Sequence, residues 1–532
     1  MSKLRGLLLA VTILPIAGCN GADDVASPGD GVVVLPAPTP PTTPTPTPPP
    51  PGTPAAACPA IAGVTDGGVV GSFRACRLPS NIITDLRLIK TAGVAYMIDG
   101  RVNVGVDLGG GATGNVTGRS AILTVDPGVI LFGNGGDANN DFLIVNRGSR
   151  LQAEGTPTQP IIFTARENLL GTATDTSQGL WGGVILAGRA PVSDCDPNVS
   201  TSLVGGNAGC ARIVEGTGNA AGGGEVANDS SGSVRYVQIR YSGVAISEGN
   251  ELQGLTTVGA GSGTTIDHVQ VHNSADDGVE VFGGRQNMKY LVITGDDDDS
   301  LDTDVGYQGA IQFVLAVKRT GNGSSDPRNL EVDSNNNREA APRQYLRLAN
   351  FTFVQPLNFE SLQIRGGADA ALVNGIVRST GTGACLSISH PETIRAATNT
   401  PPADPGSGVV APDRGPPVFQ SIVFECLAPF AAGTSTTAQD VQNVFSAAGN
   451  TNNNANATNT LVSTYFPGPG AAAVTAFNAA SLNLPGEAFL VATGFIGAIS
   501  AANQAEYQGW TCNASYVNFG AASQNCTALP TS

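Results

Sequence analysis

The sequence is poor in charged, aromatic and histidine side chains. Only 13% of its 532 residues are charged, 5% are aromatic, and histidine occurs three times. With three histidines, few catalytic triads or histidine-ligated zinc sites are possible. His268 and His272 have a metal-ligand spacing for a helix, but their segment alternates as a strand, which would set them about 13 Å apart. We therefore interpret both as polar strand positions, and His390, which precedes a proline, as a turn residue.

Basic side chains are also scarce. Lysine and arginine total 27 against 43 aspartates and glutamates, so the net charge is −16 at pH 7. A chain this acidic repels nucleic acid phosphates and anionic lipid headgroups, so we expect no nucleic acid partner.

The N-terminus has the pattern of an export signal. A short apolar run, too short for a stable membrane span, follows two basic residues and leads to Ile-Ala-Gly-Cys at 16–19. This tetrapeptide resembles the bacterial lipobox, which implies removal of residues 1–18 and lipidation of Cys19. Several acyl chains anchor a protein firmly. Because residue 20 is Asn rather than Asp, the resemblance implies the outer membrane, with the protein facing the periplasm or the cell surface.

A proline and threonine tract at 36–54, PAPTPPTTPTPTPPPPGTP, follows the signal. Such a tract favours extended polyproline II, at about 3 Å per residue, and forms neither helix nor sheet. We therefore divide the chain into a signal peptide (1–18), a lipidated N-terminus with a stalk (19–57) and a folded domain (58–532).

No C-x-x-C motif occurs among the nine cysteines, so the usual signature of redox and zinc-ribbon sites is missing. Once Cys19 is assigned to lipid, eight cysteines remain, and they fall into close pairs along the chain. An even count in an exported chain favours disulfides, although spacing alone does not prove their connectivity. The expected pairs are Cys58 with Cys76, Cys195 with Cys210, Cys385 with Cys426, and Cys512 with Cys526.

Short alternating segments recur along the chain. Segments 234–239, 266–272 and 288–293 all have strand character, and the last two are 22 residues apart. Units of this kind cannot bury an apolar face alone and must stack on their neighbours. The sequence therefore predicts an all-β parallel solenoid with a few short helices near the C-terminus. Long loops are expected at 190–232, 319–343, 391–416 and 436–485.

A succession of segments also resembles a known family. The segments are LTVDPGVILFG, LIVNRGSRLQAEGTPTQPIIFTA, LWGGVILAGRAPV, SADDGVEVFGG and GDDDDSLDTDVGYQGAIQF. They are similar to bacterial cell-surface proteins of the right-handed parallel β-helix, pectate-lyase-like fold, which mostly lack an assigned function. The resemblance covers roughly 120–511 and implies this fold. It does not imply one activity, because the same solenoid carries lyases, hydrolases, adhesins and structural proteins.

The densest acidic cluster lies within the repeat. If strand 288–293 stacks on strand 266–272, the 22-residue shift places Asp276 beside Asp298. Crowded carboxylates repel one another unless a hard cation or protonation relieves them, and calcium accepts six to eight oxygens in flexible geometry. The alternative is a solvated acidic turn. The candidate calcium ligands are Asp276, Asp277, Glu280, Asp296, Asp297, Asp298, Asp299, Asp302 and Asp304.

Three functions remain open. The first is a non-catalytic outer-membrane or cell-surface binding module that captures a glycan, a nutrient or a partner, with or without an outer-membrane transporter, or an adhesin. The second is a calcium-dependent polysaccharide lyase or hydrolase with Arg285, Lys289, Lys318 or Arg319 as the base. The motifs R-x-P-x-x-R, G-H-G and R-I-K are absent, so no residue is predicted to be catalytic. The third is a purely structural surface protein.

Overall fold

The structure is a computed structural model, and it describes residues 52–531 apart from 136–140, 248–249, 322–323, 325, 335–336, 398–399, 401 and 405–407. The predicted signal peptide, Cys19 and most of the stalk lie outside the described residues. All described residues belong to one unit, Pro48–Ser532. Within the described part of the chain, no helix is long and apolar enough to cross a membrane.

Strands dominate the described residues, and most are short. In chain order they are β1 Thr65–Val70, β2 Phe73–Arg77, β3 Asn81–Ile82, β4 Leu86–Leu88, β5 Val94–Ile98, β6 Arg101–Val104, β7 Ile122–Val125, β8 Ile130–Gly133, β9 Phe142–Val145, β10 Arg150–Glu154, β11 Ile161–Ala165, β12 Val184–Ala187, β13 Arg212–Ile213, β14 Ala221–Gly222, β15 Gly232–Arg240, β16 Val244–Ser247, β17 Asn250–Leu252, β18 Leu255–Val258, β19 Thr265–His272, β20 Val279–Phe282, β21 Asn287–Thr294, β22 Leu301–Asp304, β23 Ala310–Val317, β24 Leu330–Val332, β25 Tyr345–Gln355, β26 Leu362–Ile364, β27 Asp369–Ser379, β28 Ala384–Ile388, β29 Val418–Glu425, β30 Ala428–Ala432, β31 Leu461–Val462, β32 Phe466–Pro467, β33 Cys512–Asn513 and β34 Gln524–Asn525.

Helices in the described residues are few and short. They are α1 Arg166–Leu170, α2 Pro391–Ile394, α3 Ala438–Phe445 and α4 Pro469–Ala472, with 3₁₀ turns at Ala479–Leu482 and Gln504–Tyr507. Three of the six lie within 436–485, where short helices were predicted near the C-terminus.

Two long sheets carry the fold. Sheet A has the order β1-β2-β5-β8-β11-β15-β19-β21-β23-β25-β27-β29, with β4, β7 and β10 beside its first turns, and sheet B has the order β3-β6-β9-β12-β18-β20-β22-β24-β26-β28-β30. After the antiparallel β1–β2 pair, the strands along both sheets pair in parallel. Because the chain alternates between the two sheets, each turn adds strands to both. The predicted all-β parallel β-helix is confirmed.

A residue with left-handed backbone interrupts seven successive strands of sheet A. Arg235 pairs with Glu154 and Val237 pairs with Ile161, so Tyr236 alone takes the place of residues 155–160 in the turn before. Left-handed backbone strains residues other than glycine, and asparagine tolerates it best of the larger residues. The seven residues, with φ between 50° and 66°, are Tyr236, His268, Tyr290, Phe313, Asn350, Asn374 and Ser421.

Stacked rings offset the strain in the first four of these strands. Tyr236, His268, Tyr290 and Phe313 lie one above another, with successive ring centroids 4.5, 4.2 and 4.8 Å apart. Ring pairs at this separation contribute about 0.5–1.5 kcal/mol each beyond their buried area. Trp510 packs edge-on against His268 and is 1% exposed, so the column is covered from outside.

The chain after the last turn runs back along sheet A. We call residues 474–531 the C-terminal strap. Outward polar side chains from successive turns hydrogen-bond to its carbonyl oxygens, so the strap satisfies its backbone groups against the β-helix. The pairs are Ser421 with Thr475 (2.7 Å), Asn374 with Phe477 (2.9 Å), Gln312 with Val491 (2.8 Å), Gln270 with Cys512 (3.0 Å) and Gln238 with Trp510 (2.6 Å).

Helix α3 covers the C-terminal end of the core. Thr437 and Asp440 form a capping box, in which Asp440 N donates to Thr437 Oγ1 at 3.1 Å and Thr437 N donates to the Asp440 carboxylate at 2.8 Å. The helix presents Phe445, 2% exposed, to a cluster with Phe419, Phe424 and Phe430. Helix α3 therefore covers the apolar face of the last turn, and repeat architectures require such a cap at their ends.

Four disulfides join the cysteines in the expected pairs. Each closes a loop between neighbours in chain order, and Cys195–Cys210 lies inside the long loop 190–232. The bonds are Cys58–Cys76, Cys195–Cys210, Cys385–Cys426 and Cys512–Cys526.

Candidate metal centre

Three consecutive strands of sheet B carry a ladder of carboxylates. Glu280 of β20 is in register with Asp302 of β22, which is in register with Glu331 of β24. Neighbouring strands in a sheet lie about 4.8 Å apart. Because Val279 and Val281 on either side of Glu280 are buried in the core, the alternation of the strand points the carboxylate outward.

The connections that enter these strands add a second row of carboxylates. Val279 pairs with Leu301, so the predicted shift of 22 residues holds and Asp276 and Asp298 occupy equivalent positions. The turns are linked through carboxylate oxygens: Asp299 N donates to Asp277 Oδ1 at 2.8 Å, and in the following turn Arg328 N donates to Asp299 Oδ1 at 2.7 Å.

The two rows enclose a groove of about 680 Å³, which we call the acidic groove. Among the described residues, eleven carboxylates and one guanidinium line it together with Gln178, Gln253, Ser324 and Ala275, and none of these lining residues is aromatic. The carboxylates are those of Glu215, Glu251, Asp276, Asp277, Glu280, Asp297, Asp298, Asp299, Asp302, Asp326 and Glu331, and the guanidinium is that of Arg365.

Seven of the nine candidate calcium ligands line this groove, and Asp296 and Asp304 do not. The Asp296 carboxylate pairs with the Lys318 ammonium, and both side chains are fully buried. The Asp304 carboxylate accepts a hydrogen bond from Val305 N at 2.6 Å. Asp297, although it lines the groove, forms an ion pair with Arg319 at 3.2 Å.

Six carboxylates in the acidic groove have no cationic side chain within 4 Å among the described residues: those of Asp276, Asp277, Glu280, Asp298, Asp299 and Asp302. Glu280, only 7% exposed, and Asp302 each have one buried oxygen, Oε2 and Oδ1 respectively, that no described group hydrogen-bonds. Leaving a buried acceptor unsatisfied costs about 1–3 kcal/mol, and more for a charged one. Both oxygens therefore lack the partner that burial normally demands.

Burial and mutual repulsion raise the pKa of every one of these six carboxyl groups. Burial, reinforced by the charges of Asp298, Glu251 and Glu215, raises the pKa of Asp276 to about 8. Burial, with Glu215 and Asp276 adding repulsion, raises the pKa of Glu280 well above its usual value. The carboxyl groups of Asp277, Asp298, Asp299 and Asp302 shift in the same direction, with burial as the largest cause. Without a cation, the groove thus holds protons that an exposed acid would release.

Two sets of carboxylate oxygens are close enough to share one ion each. Within each set the oxygens lie within 4.8 Å of one another, and the two sets share Asp277. Calcium binds oxygens at about 2.3–2.6 Å, so two ligands on one ion are at most about 5 Å apart. The sets are Asp276, Asp277 and Asp298, and Asp277, Glu280 and Asp302.

The four side chains considered as a lyase base are elsewhere or already engaged. Lys318 and Arg319 pair with Asp296 and Asp297. Lys289 lies over the Phe489 ring, 4.6 Å from its centroid, beside the C-terminal strap. Arg285 lines a different cavity. Among the described residues that line the groove, Arg365 is the one basic side chain, and it was not among the four predicted bases.

Five charged residues of the acidic groove were not predicted from the sequence: Glu215, Glu251, Asp326, Glu331 and Arg365. Arg365 Nε lies 2.5 Å from Glu331 Oε1 and 2.7 Å from Asp333 Oδ2. Glu331 stands in Leu-Glu-Val, which matches Val-Glu-Val at 279–281 and Leu-Asp-Thr at 301–303. This match was the available signal, but the loop at 319–328 lengthens the spacing from 22 to 29 residues.

The histidines lie outside the acidic groove. His268 stacks in the ring column, and His272 is fully buried between Tyr241 and Tyr516, with Nδ1 3.0 Å from Thr294 Oγ1. Burial, with Arg240 and Arg319 adding repulsion, lowers the pKa of His272 to about 3. His390 accepts a hydrogen bond from Gly366 N at 3.1 Å. His268 and His272 lie in strand β19, and His390 lies immediately before helix α2, which agrees with the predicted strand and turn positions.

The fold and the site together define an all-β parallel β-helix with a carboxylate-lined groove on one sheet. Residues 112–460 match the family model described as a pectate-lyase-like β-helix domain, and the chain belongs to that family. No curated protein and no solved structure matches the chain. Membership in this family is compatible with a surface-binding or polysaccharide-related protein.

Proposed function

We propose that the acidic groove binds calcium and that the protein is a non-catalytic surface module which binds an acidic polysaccharide through that calcium. The observation that carries the proposal is the set of six buried or half-buried carboxylates without a cationic partner among the described residues. The unsatisfied oxygens of Glu280 and Asp302 favour Asp277, Glu280 and Asp302 as the first ligand set.

The donor set favours calcium over other ions. All candidate ligands are carboxylate oxygens, which suit hard cations, whereas zinc prefers nitrogen and sulfur. Magnesium requires a near-ideal octahedron at about 2.0–2.1 Å, and calcium accepts six to eight oxygens in irregular geometry. Two rows of carboxylates from stacked turns fit the second requirement better than the first.

The surroundings of Arg365 favour binding over catalysis. A general base needs a pKa near the operating pH and must reach the proton that it removes. The carboxylates of Glu331 and Asp333 raise the pKa of Arg365 above its usual value despite its burial, so the guanidinium holds its proton more tightly. Arg365, whose side chain is 40% exposed, is better suited to attract an anionic ligand group.

The charge of the groove makes ligand binding depend on the ion. The eleven carboxylates repel a polyuronate, and none of the described residues that line the groove offers an aromatic ring as a sugar platform. Calcium would reverse the local repulsion and coordinate a ligand carboxylate directly. We also propose that Cys19 is lipidated and that the protein is anchored in the outer membrane. Cooperation with an outer-membrane transporter is part of the same proposal.

The test is binding of the full chain to polygalacturonate, measured by co-sedimentation with calcium and with a chelator, alongside ultraviolet absorbance of the polymer solution. We expect binding in calcium, at least tenfold less in chelator, and no new absorbance from unsaturated products. Neutral dextran is the control polymer. Unsaturated product would make the protein a lyase, and equal binding in calcium and chelator would remove the ion from ligand recognition.

A further inference from the structure

A second cavity lies at a different corner of the β-helix, where the chain passes from sheet B to sheet A. Its volume is about 380 Å³, within the range of small-ligand sites. Arg285 enters it two residues before β21, Gln308 two residues before β23, and Tyr345 at the start of β25. Residues 205–206, 409–412 and 414, from two of the long loops, close its sides. We call it the corner cavity.

Arg285 supplies an unneutralised cation to the corner cavity. Its NH1 donates to the carbonyl oxygens of Gly284 at 2.6 Å and Gly306 at 3.1 Å, which orients the guanidinium. No carboxylate in the described part of the chain forms an ion pair with it. Burial lowers the pKa of Arg285 to about 10, so the charge is held at a desolvation cost that no described anion offsets.

A second unneutralised cation stands nearby. The Arg414 guanidinium lies over the Tyr345 ring, 4.1 Å from its centroid, and forms no ion pair with any described carboxylate. The acid that lines the cavity, Asp369, is committed to Arg343, with Nε to Oδ1 at 3.0 Å. The corner cavity thus contains two guanidinium groups that form no ion pair with a described carboxylate, in a protein whose net charge is −16.

We infer that the corner cavity is a binding site for a small sugar that carries an oxyanion, with the oxyanion held by Arg285 and Arg414. A guanidinium binds a carboxylate or phosphate with two parallel hydrogen bonds, which suits this pairing. The Gln308 side chain supplies polar surface to the sugar, and the Tyr345 ring holds the Arg414 guanidinium in place. This site goes beyond the calcium-dependent function, because the corner cavity and the acidic groove share no lining residue.

The experiment is calorimetric titration of the full chain with D-glucuronate in a chelator-containing buffer, which removes calcium from the acidic groove. We expect saturable binding that weakens about tenfold or more in Arg285→Gln and in Arg414→Gln. Arg150→Gln, on an exposed strand residue that lines neither cavity, is the matched control and should bind like the wild type. Arg414 is also exposed, so its variant tests the site even if Arg285→Gln fails to fold.

Two further ligands distinguish recognition of the oxyanion from recognition of the sugar. D-glucose should bind at least tenfold more weakly than glucuronate, because it lacks the oxyanion. If inorganic phosphate displaces glucuronate, the site recognises any oxyanion. If phosphate does not displace it, the site recognises the carboxylate together with the sugar. Both results support the site. Absence of glucuronate binding in chelator, or wild-type affinity in both arginine variants, overturns it. Either failure is independent of calcium binding and of polygalacturonate binding, which test the acidic groove.

Discussion

Replacing Lys318 with methionine is expected to lower the free energy of unfolding by about 3–5 kcal/mol. The Lys318 ammonium pairs with the Asp296 carboxylate, both side chains are 0% exposed, and Nζ also donates to the carbonyl oxygen of Asp298. The variant would leave the Asp296 charge buried without a cationic partner, with the Ser300 hydroxyl 3.0 Å from Oδ2. Chemical denaturation of the full chain with chelator present measures the change.

Two variants control this prediction. Lys90→Met removes an exposed lysine, and its effect should stay within about 0.5 kcal/mol. The double variant Lys318→Met, Asp296→Leu should recover most of the loss, because an apolar pair of similar volume replaces a buried ion pair with little cost. A loss below about 1 kcal/mol in Lys318→Met would mean that the pair is hydrated rather than buried.

Neutralising two carboxylates of the acidic groove is expected to have opposite effects with and without calcium. In chelator, Glu280→Gln with Asp302→Asn should be more stable than the wild type, since burial and mutual repulsion raise the pKa of these carboxyl groups and neutral amides remove the repulsion. With calcium at about 100 times its Kd, the wild type should gain about 2.7 kcal/mol. The variant should gain less than about 0.5 kcal/mol, because it has lost two ligands of the first set.

The matched control for this pair is Glu154→Gln with Asp66→Asn. Both residues are exposed, and the substitutions change the net charge by the same amount outside the groove. This control should keep the full calcium response. If the groove variant is less stable than the wild type in chelator and responds equally to calcium, the six carboxylates are solvated charge and not a site.

The fold was predictable from the sequence because its signal is repeated. The 22-residue spacing of segments 266–272 and 288–293 predicts the register that stacks Ile266 on Met288 and Asp276 on Asp298. The break within seven successive strands of sheet A was not predictable, because a left-handed residue such as His268 lies inside an ordinary alternating pattern. Its position depends on the stacked rings of neighbouring turns and on the C-terminal strap, which are contacts between distant parts of the chain.

The location of the candidate site was predictable from the sequence, but which of its carboxylates form ion pairs with basic side chains was not. Counting acidic residues over two turns finds seven that line the groove. Such a count does not show that Asp296 and Asp297 form ion pairs. Their partners, Lys318 and Arg319, belong to the next turn of the β-helix, and only the packing of the turns brings them within reach. Glu331 was missed for a related reason, since an inserted loop hides the third copy of the strand from a fixed spacing.

Calorimetric titration of calcium into the metal-stripped full chain tests directly whether the acidic groove is a calcium site. We expect saturable binding of at least one ion per chain, abolished in Glu280→Gln with Asp302→Asn and retained in Glu154→Gln with Asp66→Asn. Proton release should accompany binding at pH 7, because burial raises the pKa of Glu280 and of Asp302 well above the usual values and calcium must displace their protons. Absence of binding, or equal binding by the groove variant, would contradict the account.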